Sequence, residues 1–150
     1  MKNLFILFFL LLANIFVLAQ PNNLPIKADD DVYYIQDNVL IRTRDGAAIS
    51  AIVVRKKGNT QPLPAILFYT TYYQGSGDTI FGKKSPARGF VGVVAYTRGI
   101  RTNLNEYVPY EHDGNDVYDV IDWISKQSWC NGKVGMYGGS YTGFSQWSTL

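Results

Sequence analysis

The chain has one cysteine and one histidine in 150 residues. A single cysteine excludes an intrachain disulfide framework and any zinc or iron–sulfur centre built from several thiolates. Charge of one sign is not in excess either: 14 Lys and Arg face 12 Asp and Glu, a net charge of +2 spread along the sequence. That balance gives no electrostatic footprint for nucleic acid, and no nucleic-acid partner is expected. Internal repeats and low-complexity stretches are also missing, which excludes a repeat array. What remains is 47% apolar, enough for a packed core in one domain of ordinary size.

The apolar residues are unevenly spread. Met1 to Ala19 reads MKNLFILFFLLLANIFVLA, with Lys2 as a short positive start and Leu4 to Ala13 as an unbroken apolar core. Val17 and Ala19 are small enough for cleavage before Gln20, so residues 1–19 have the layout of a secretory signal peptide. The rival reading is an uncleaved membrane anchor. A spanning helix needs about 20 apolar residues, whereas Asn14 interrupts this segment and Gln20-Pro21 ends it. Cleavage would leave 131 residues with 13 basic and 12 acidic side chains, working outside the cytoplasm as a secreted or periplasmic protein with no membrane contact. Residues 20–31 are polar and proline-punctuated, and read as a tether.

A domain is expected over 32–150. Val39, Ile41 and Thr43 alternate with Leu40, Arg42 and Arg44, then Asp45-Gly46 follows and Ala47 to Val54 resumes the apolar run. Asp-Gly between two such runs signals an antiparallel hairpin. Lys56 to Asn59 reads as a solvated loop. Pro64 to Thr71 and Phe90 to Tyr96 are short continuous apolar runs, the mark of strands buried on both faces, and Lys133 to Tyr137 reads as a third. Between the last two, Val117, Val120, Ile121 and Ile124 recur at helical spacing. Asp113 is expected to cap that helix, with Asp116, Asp119 and Asp122 on a solvated, dipole-matched face. Buried strands alternating with a helix give an α/β fold, a mostly parallel sheet preceded by an antiparallel hairpin.

The chemistry concentrates near the C-terminal end. Ser140 follows a predicted strand within Gly138-Gly139-Ser140-Tyr141-Thr142-Gly143. A nucleophile elbow needs such a setting, because the strand-to-helix turn is too sharp for bulky flanking residues and holds the serine in a strained backbone. The following helix would bring its positive end and the Tyr141 N–H beside the seryl oxygen as an oxyanion donor. The spacing here is G-x-S-x-x-G rather than the general G-x-S-x-G, and a glycine-rich turn after a strand can also be purely structural. Three weaker signals are read as structural. Gly77 to Lys83 falls short of a phosphate loop because Lys84 stands where Ser or Thr is required. The aspartates lack a histidine partner for a metal, and Cys130 reads as a buried thiol at the helix end. No metal or cofactor is expected.

Several segments in register carry a resemblance. Asp116-x-x-Asp119, Asp122-Trp123-Ile124, Trp129 to Met136 and Gly138 to Gly143 together resemble the group of Xaa-Pro dipeptidyl-peptidases, cocaine esterases and α-amino-acid ester hydrolases, which are α/β-hydrolases. Arg44-Asp45-Gly46 and Thr97-Arg98-Gly99 look like that group's hairpin turn and Arg-Gly loop. The resemblance covers about 32–150 and implies a serine hydrolase acting on a small ester or peptide through an acyl-enzyme on Ser140. It assigns the Tyr141 N–H as one oxyanion donor and a tyrosine hydroxyl after Phe68-Tyr69-Thr70-Thr71 as the second; Tyr72 matches best, with Tyr73 as rival. Thr71 replaces the group's usual proline, and Tyr96 replaces an aspartate common before Thr-Arg-Gly. For Arg98 an ion pair with Asp116 or Asp119 is expected.

Against activity stands the triad order of α/β-hydrolases, Ser then Asp or Glu then His. No acid and no histidine follows Ser140, and His112 precedes it as a surface residue at the helix start. A serine without a base stays protonated and weakly nucleophilic. The 150 residues are therefore expected to be the N-terminal portion of a longer hydrolase, an α/β-hydrolase fold incomplete at its C-terminus, inactive and poorly soluble alone. The alternative is a non-catalytic exported remnant or binding module that retains the elbow.

Overall fold

In the computed structural model, residues 26–29, 32–102 and 105–150 are described. The expected signal segment lies outside them. The alternating run before Asp45-Gly46 becomes the strand Tyr33–Arg42, and the run after it becomes Ala48–Lys56. The two pair antiparallel with Ile41 opposite Ile49. The alternation is obeyed: Val39, Ile41 and Thr43 are buried, while Leu40, Arg42 and Arg44 are exposed. Within the expected tether, Ile26–Asp29 forms a further strand antiparallel to the first of these. The reason is physical: the outer edge of Tyr33–Arg42 carries unpaired backbone groups, and a short extended segment satisfies them. In chain order these strands are β1 (Ile26–Asp29), β2 (Tyr33–Arg42) and β3 (Ala48–Lys56).

The next two apolar runs become β4 (Leu63–Thr70) and β5 (Val91–Tyr96), which pair parallel with Leu67 opposite Val93. Every residue of β5 is buried, as expected for a strand covered on both faces. β6 (Cys130–Met136) lies parallel to β4 and gives the order β1-β2-β3-β5-β4-β6. The expectation of full burial fails for β6, where Asn131, Gly132, Lys133 and Gly135 are exposed. Among the described residues β6 pairs with β4 alone, so its second edge is open. Periodicity cannot report how many neighbours a strand has.

Helices cover both faces. α1 (Ser76–Lys84) packs beside β3 and β5, where Phe81 stacks on Phe68 with ring centroids 5.1 Å apart. This helix occupies the stretch that resembled a phosphate loop, and its Gly82 has a different use. A Cβ on Gly92 of β5 would sit 2.0 Å from the Gly82 carbonyl oxygen, so the pair of glycines sets how closely α1 lies on the sheet. On the other face, α2 (Asp113–Ser125) buries Val117, Val120 and Ile124 against Ile41, Leu67, Tyr69 and Val93. α3 (Tyr141–Ser148) follows β6 and packs against α2. Cys130 is buried, as expected, but at the start of β6.

Candidate active site

β6 stops at Met136 and α3 begins at Tyr141, so the chain reverses within four residues. Ser140 sits at the top of that reversal with φ 57° and ψ −127°. A non-glycine residue in this region costs about 1–3 kcal/mol and persists only where its surroundings impose it. The imposing contacts are local. The Ser140 carbonyl accepts the N–H groups of Gly143 (3.0 Å) and Phe144 (2.9 Å), and the Thr142 hydroxyl donates to the Gly139 carbonyl at 2.6 Å. Ser140 occupies the N-cap position of α3 yet makes no side-chain cap hydrogen bond, so the helix does not consume its hydroxyl. The residue is exposed.

The three flanking glycines are not equivalent. Gly138 has φ 142°, and a Cβ there would fall 2.0 Å from Thr142 Oγ1 and 2.5 Å from Thr142 Cβ. A Cβ on Gly139 meets nothing within 4 Å, and one on Gly143 reaches the Gly138 carbonyl oxygen at an ordinary 3.5 Å. Gly138→Ala is therefore expected to destabilise the protein by about 2 kcal/mol through overpacking. Gly143→Ala, inside α3, should stabilise by about 0.5–1 kcal/mol. Urea denaturation of both variants checks the contrast, which reverses or vanishes if the turn is loosely held.

Tyr141 opens α3, so its backbone N–H has no acceptor within the helix and lies at the positive end of the helix dipole. Its side chain turns inward and is buried. The hydroxyl donates to Asp113 Oδ2 at 2.5 Å, while Tyr69 donates to Asp113 Oδ1 at 3.3 Å. Asp113 was expected to cap α2. Instead His112 holds the N-cap position without a side-chain bond, and Asp113 points into the core. The sheet and α3 supply two phenol donors there, better partners for a carboxylate than the orphan amides of a helix end. Burial raises the Asp113 pKa, and the hydrogen bonds from Tyr141 and Tyr69 work against that rise. Burial, then the bond to Asp113, pushes the Tyr141 hydroxyl above its ordinary pKa, which keeps it protonated as a donor.

The two tyrosines after β4 meet different neighbours. Tyr72 follows β4, is 52% exposed, and meets Tyr141 edge-on with centroids 6.5 Å apart. Tyr73 turns the other way and packs edge-on against Tyr96 at 5.7 Å. Of the two tyrosines left open by the sequence, Tyr72 is the one brought beside the elbow. Tyr110, whose φ of 70° has no sequence signal, lies 5.0 Å from the Tyr141 ring and 4.9 Å from Phe144. These rings form an aromatic rim that sequence reasoning missed, because no spacing rule links residues on separate loops.

The aspartates of α2 are not a solvated face. Arg98 donates to both oxygens of Asp116 at 2.6 Å and bridges to Asp45 at 2.7 Å; the Asp116 side chain is 1% exposed. Of the two partners expected for Arg98, Asp116 is the one used. Asp119 takes a bidentate fork from Arg44 at 2.8–3.2 Å plus the Arg44 backbone N–H, and the bond from Arg44 lowers its pKa. Only Asp122 matches the expectation of an exposed charge, paired with Lys126 one turn on. Helix periodicity located the stripe of Val117, Val120 and Ile124 but could not see the arginines arriving from the hairpin and from the loop after β5. His112 remains at the start of α2, 3.8 Å from Glu111.

A mixed sheet in this order, with a strained serine between a parallel strand and a helix, defines an α/β-hydrolase fold. Comparison with known proteins then fixes the family. The description X-Pro dipeptidyl-peptidase (S15 family) matches residues 45–150, and the chain belongs to that family of hydrolases. It is 32% identical over 123 residues to the cocaine esterase of Rhodococcus sp. (strain MB1 Bresler), an alignment covering 79% of this chain and 21% of that protein. Among solved structures it is similar to an α-amino acid ester hydrolase (TM-score 0.62, 28% identity, 89% of this chain and 25% of that one). A CocE/NonD family hydrolase from Staphylococcus aureus shares the fold (TM-score 0.66, 20% identity, 78% of this chain and 25% of that one). The chain thus spans about a fifth of the length of the curated relative it matches.

Proposed function

We propose that the protein is an exported serine hydrolase in which Ser140 is the nucleophile. The observation that carries this reading is the backbone of Ser140, held at φ 57° on a strand–turn–helix where its hydroxyl caps nothing. In the proposed reaction Ser140 Oγ loses its proton to a general base as it bonds to the substrate carbonyl carbon. The oxygen of that carbonyl takes up negative charge between the Tyr141 N–H and the Tyr72 hydroxyl. Each such donor is worth about 3 kcal/mol in a preorganised site. Collapse expels an alcohol or amine, protonated by the same base, and leaves an acyl-serine for water to cleave.

The base and its carboxylate partner are proposed to lie in parts of the fold that these residues do not include, since the chain spans about a fifth of the cocaine esterase it resembles. His112 stands on the helix start against Glu111. The 150 residues alone are accordingly expected not to turn over. Export rests on the layout of residues 1–19, which lie outside the described structure; among the described residues no helix is long and apolar enough to cross a membrane. The substrate is proposed to be a small ester or a peptide cleaved after proline, with no cofactor.

Purified product of the complete gene, offered p-nitrophenyl butyrate and a dipeptidyl Xaa-Pro p-nitroanilide, should hydrolyse at least one of them. The Ser140→Ala variant should hydrolyse neither. Inertness of the wild-type protein toward both, or activity that survives the alanine, contradicts the reading.

A further inference from the structure

We infer that Asp78 and Tyr96 are positioning residues, a buried clamp that fixes the loop carrying Tyr72; this rests on the reading of Tyr72 as an oxyanion donor. Asp78, in the first turn of α1, is fully buried. Its Oδ2 accepts two hydrogen bonds, one from the Tyr96 hydroxyl at 2.8 Å and one from the Gln74 backbone N–H at 2.9 Å. Tyr96 is the last residue of β5 and pairs in register with Thr70, the last residue of β4. The carboxylate therefore ties the loop two residues beyond Tyr72 to the end of a central strand. On the other side, the Tyr72 N–H donates to Thr70 Oγ1 at 3.0 Å, and the Thr71 hydroxyl donates to the Tyr107 hydroxyl at 2.7 Å. The backbone is thus held before and after Tyr72, while the Tyr72 side chain stays half exposed.

Such an arrangement is what a donor to a transient oxyanion needs. The phenol must be in place before charge develops, yet cannot be buried in the protein's own packing. Tyr73 completes the clamp by packing edge-on against Tyr96, and Arg101 lies over both rings at 5.7 and 5.4 Å. Among the described residues Asp78 Oδ1 has no hydrogen-bond partner. A buried carboxylate oxygen left unsatisfied is unfavourable, so Asp78 is not the choice packing alone would make. Burial, then the bond to Asp78, raises the Tyr96 hydroxyl's pKa well above its ordinary value, so it remains a donor across the working pH range.

The test is a double-mutant cycle on the complete gene product with whichever of p-nitrophenyl butyrate and the dipeptidyl Xaa-Pro p-nitroanilide it hydrolyses, reading kcat and KM separately. Tyr72→Phe should lower kcat about 100-fold, the usual loss for one oxyanion donor. Tyr96→Phe keeps the ring that packs on Tyr73 and should lower kcat about tenfold with KM within about twofold, as a small misplacement does. In the Tyr72→Phe background, Tyr96→Phe should cost nothing more, because its effect passes through the missing hydroxyl. A multiplicative double mutant, or an unaffected Tyr96→Phe, overturns the clamp while leaving Tyr72 as donor. A harmless Tyr72→Phe, or a wild-type protein without turnover, overturns the underlying reading and the clamp with it. Asp78→Ala, which removes the acceptor of both bonds, should lower kcat at least as much as Tyr96→Phe; full activity in that variant contradicts the inference.

Discussion

Ser140→Gly is expected to abolish turnover while making the protein more stable. Glycine adopts φ 57°, ψ −127° without the penalty that serine carries there. Relief of about 1–3 kcal/mol is partly offset by the extra freedom glycine gives the unfolded chain, about 0.5–1 kcal/mol. The net gain is roughly 1 kcal/mol. No hydrogen bond of the Ser140 side chain to the helix is lost, since it makes no cap bond, and the carbonyl that accepts from Gly143 and Phe144 is unchanged. Activity should fall by on the order of 10⁶-fold, leaving what the oxyanion donors alone supply. Ser140→Ala separates the two effects, because it loses the hydroxyl but keeps the strained backbone. Alanine should match glycine in inactivity and lack its stability gain. Equal melting temperatures for the two variants would mean that the elbow stores no strain.

The largest loss of stability is expected from Arg98→Met. Arg98 forks both oxygens of Asp116, whose side chain is 1% exposed, and reaches Asp45 across the hairpin turn. Removing the guanidinium leaves a buried carboxylate without compensation, which costs about 3–5 kcal/mol. Paired removal with Asp116→Leu should recover most of that, because an apolar pair of similar volume often replaces a buried ion pair at little cost. The outer pair offers a control. Arg44 is half exposed where it meets Asp119, and Arg44→Met should cost far less than Arg98→Met. Chemical denaturation of the three variants measures the order. A mild Arg98→Met would show that water reaches Asp116 in solution.

These two sites were unequally visible in the sequence. The elbow was legible because its demand is steric and local: a strand, a glycine that no side chain can replace at 138, a serine, and a helix. The hairpin was legible for the same reason, in the alternation around Asp45-Gly46. The pairing of Arg98 was half legible, since a helix with aspartates at 116 and 119 offered two partners and only the fold chooses between them. Asp113 was placed on the helix and given the wrong neighbour, because the phenols of Tyr69 and Tyr141 arrive from other elements. α1 went unnoticed: a nine-residue helix with glycines at 77 and 82 carries almost no periodic signal, and with it went Asp78. β6 was located but expected to be buried, because its composition matches that of a central strand while only one partner is paired to it among the described residues.

The proposed chemistry rests on one atom, Ser140 Oγ, and an active-site-directed label reads it without any assumption about substrate. The complete gene product treated with a fluorophosphonate probe should take up close to one label per chain. Peptide mass spectrometry should place that label on Ser140, and Ser140→Ala should stay unlabelled. A wild-type protein that refuses the probe, or a label found on another residue, would contradict the assignment of Ser140 as the nucleophile.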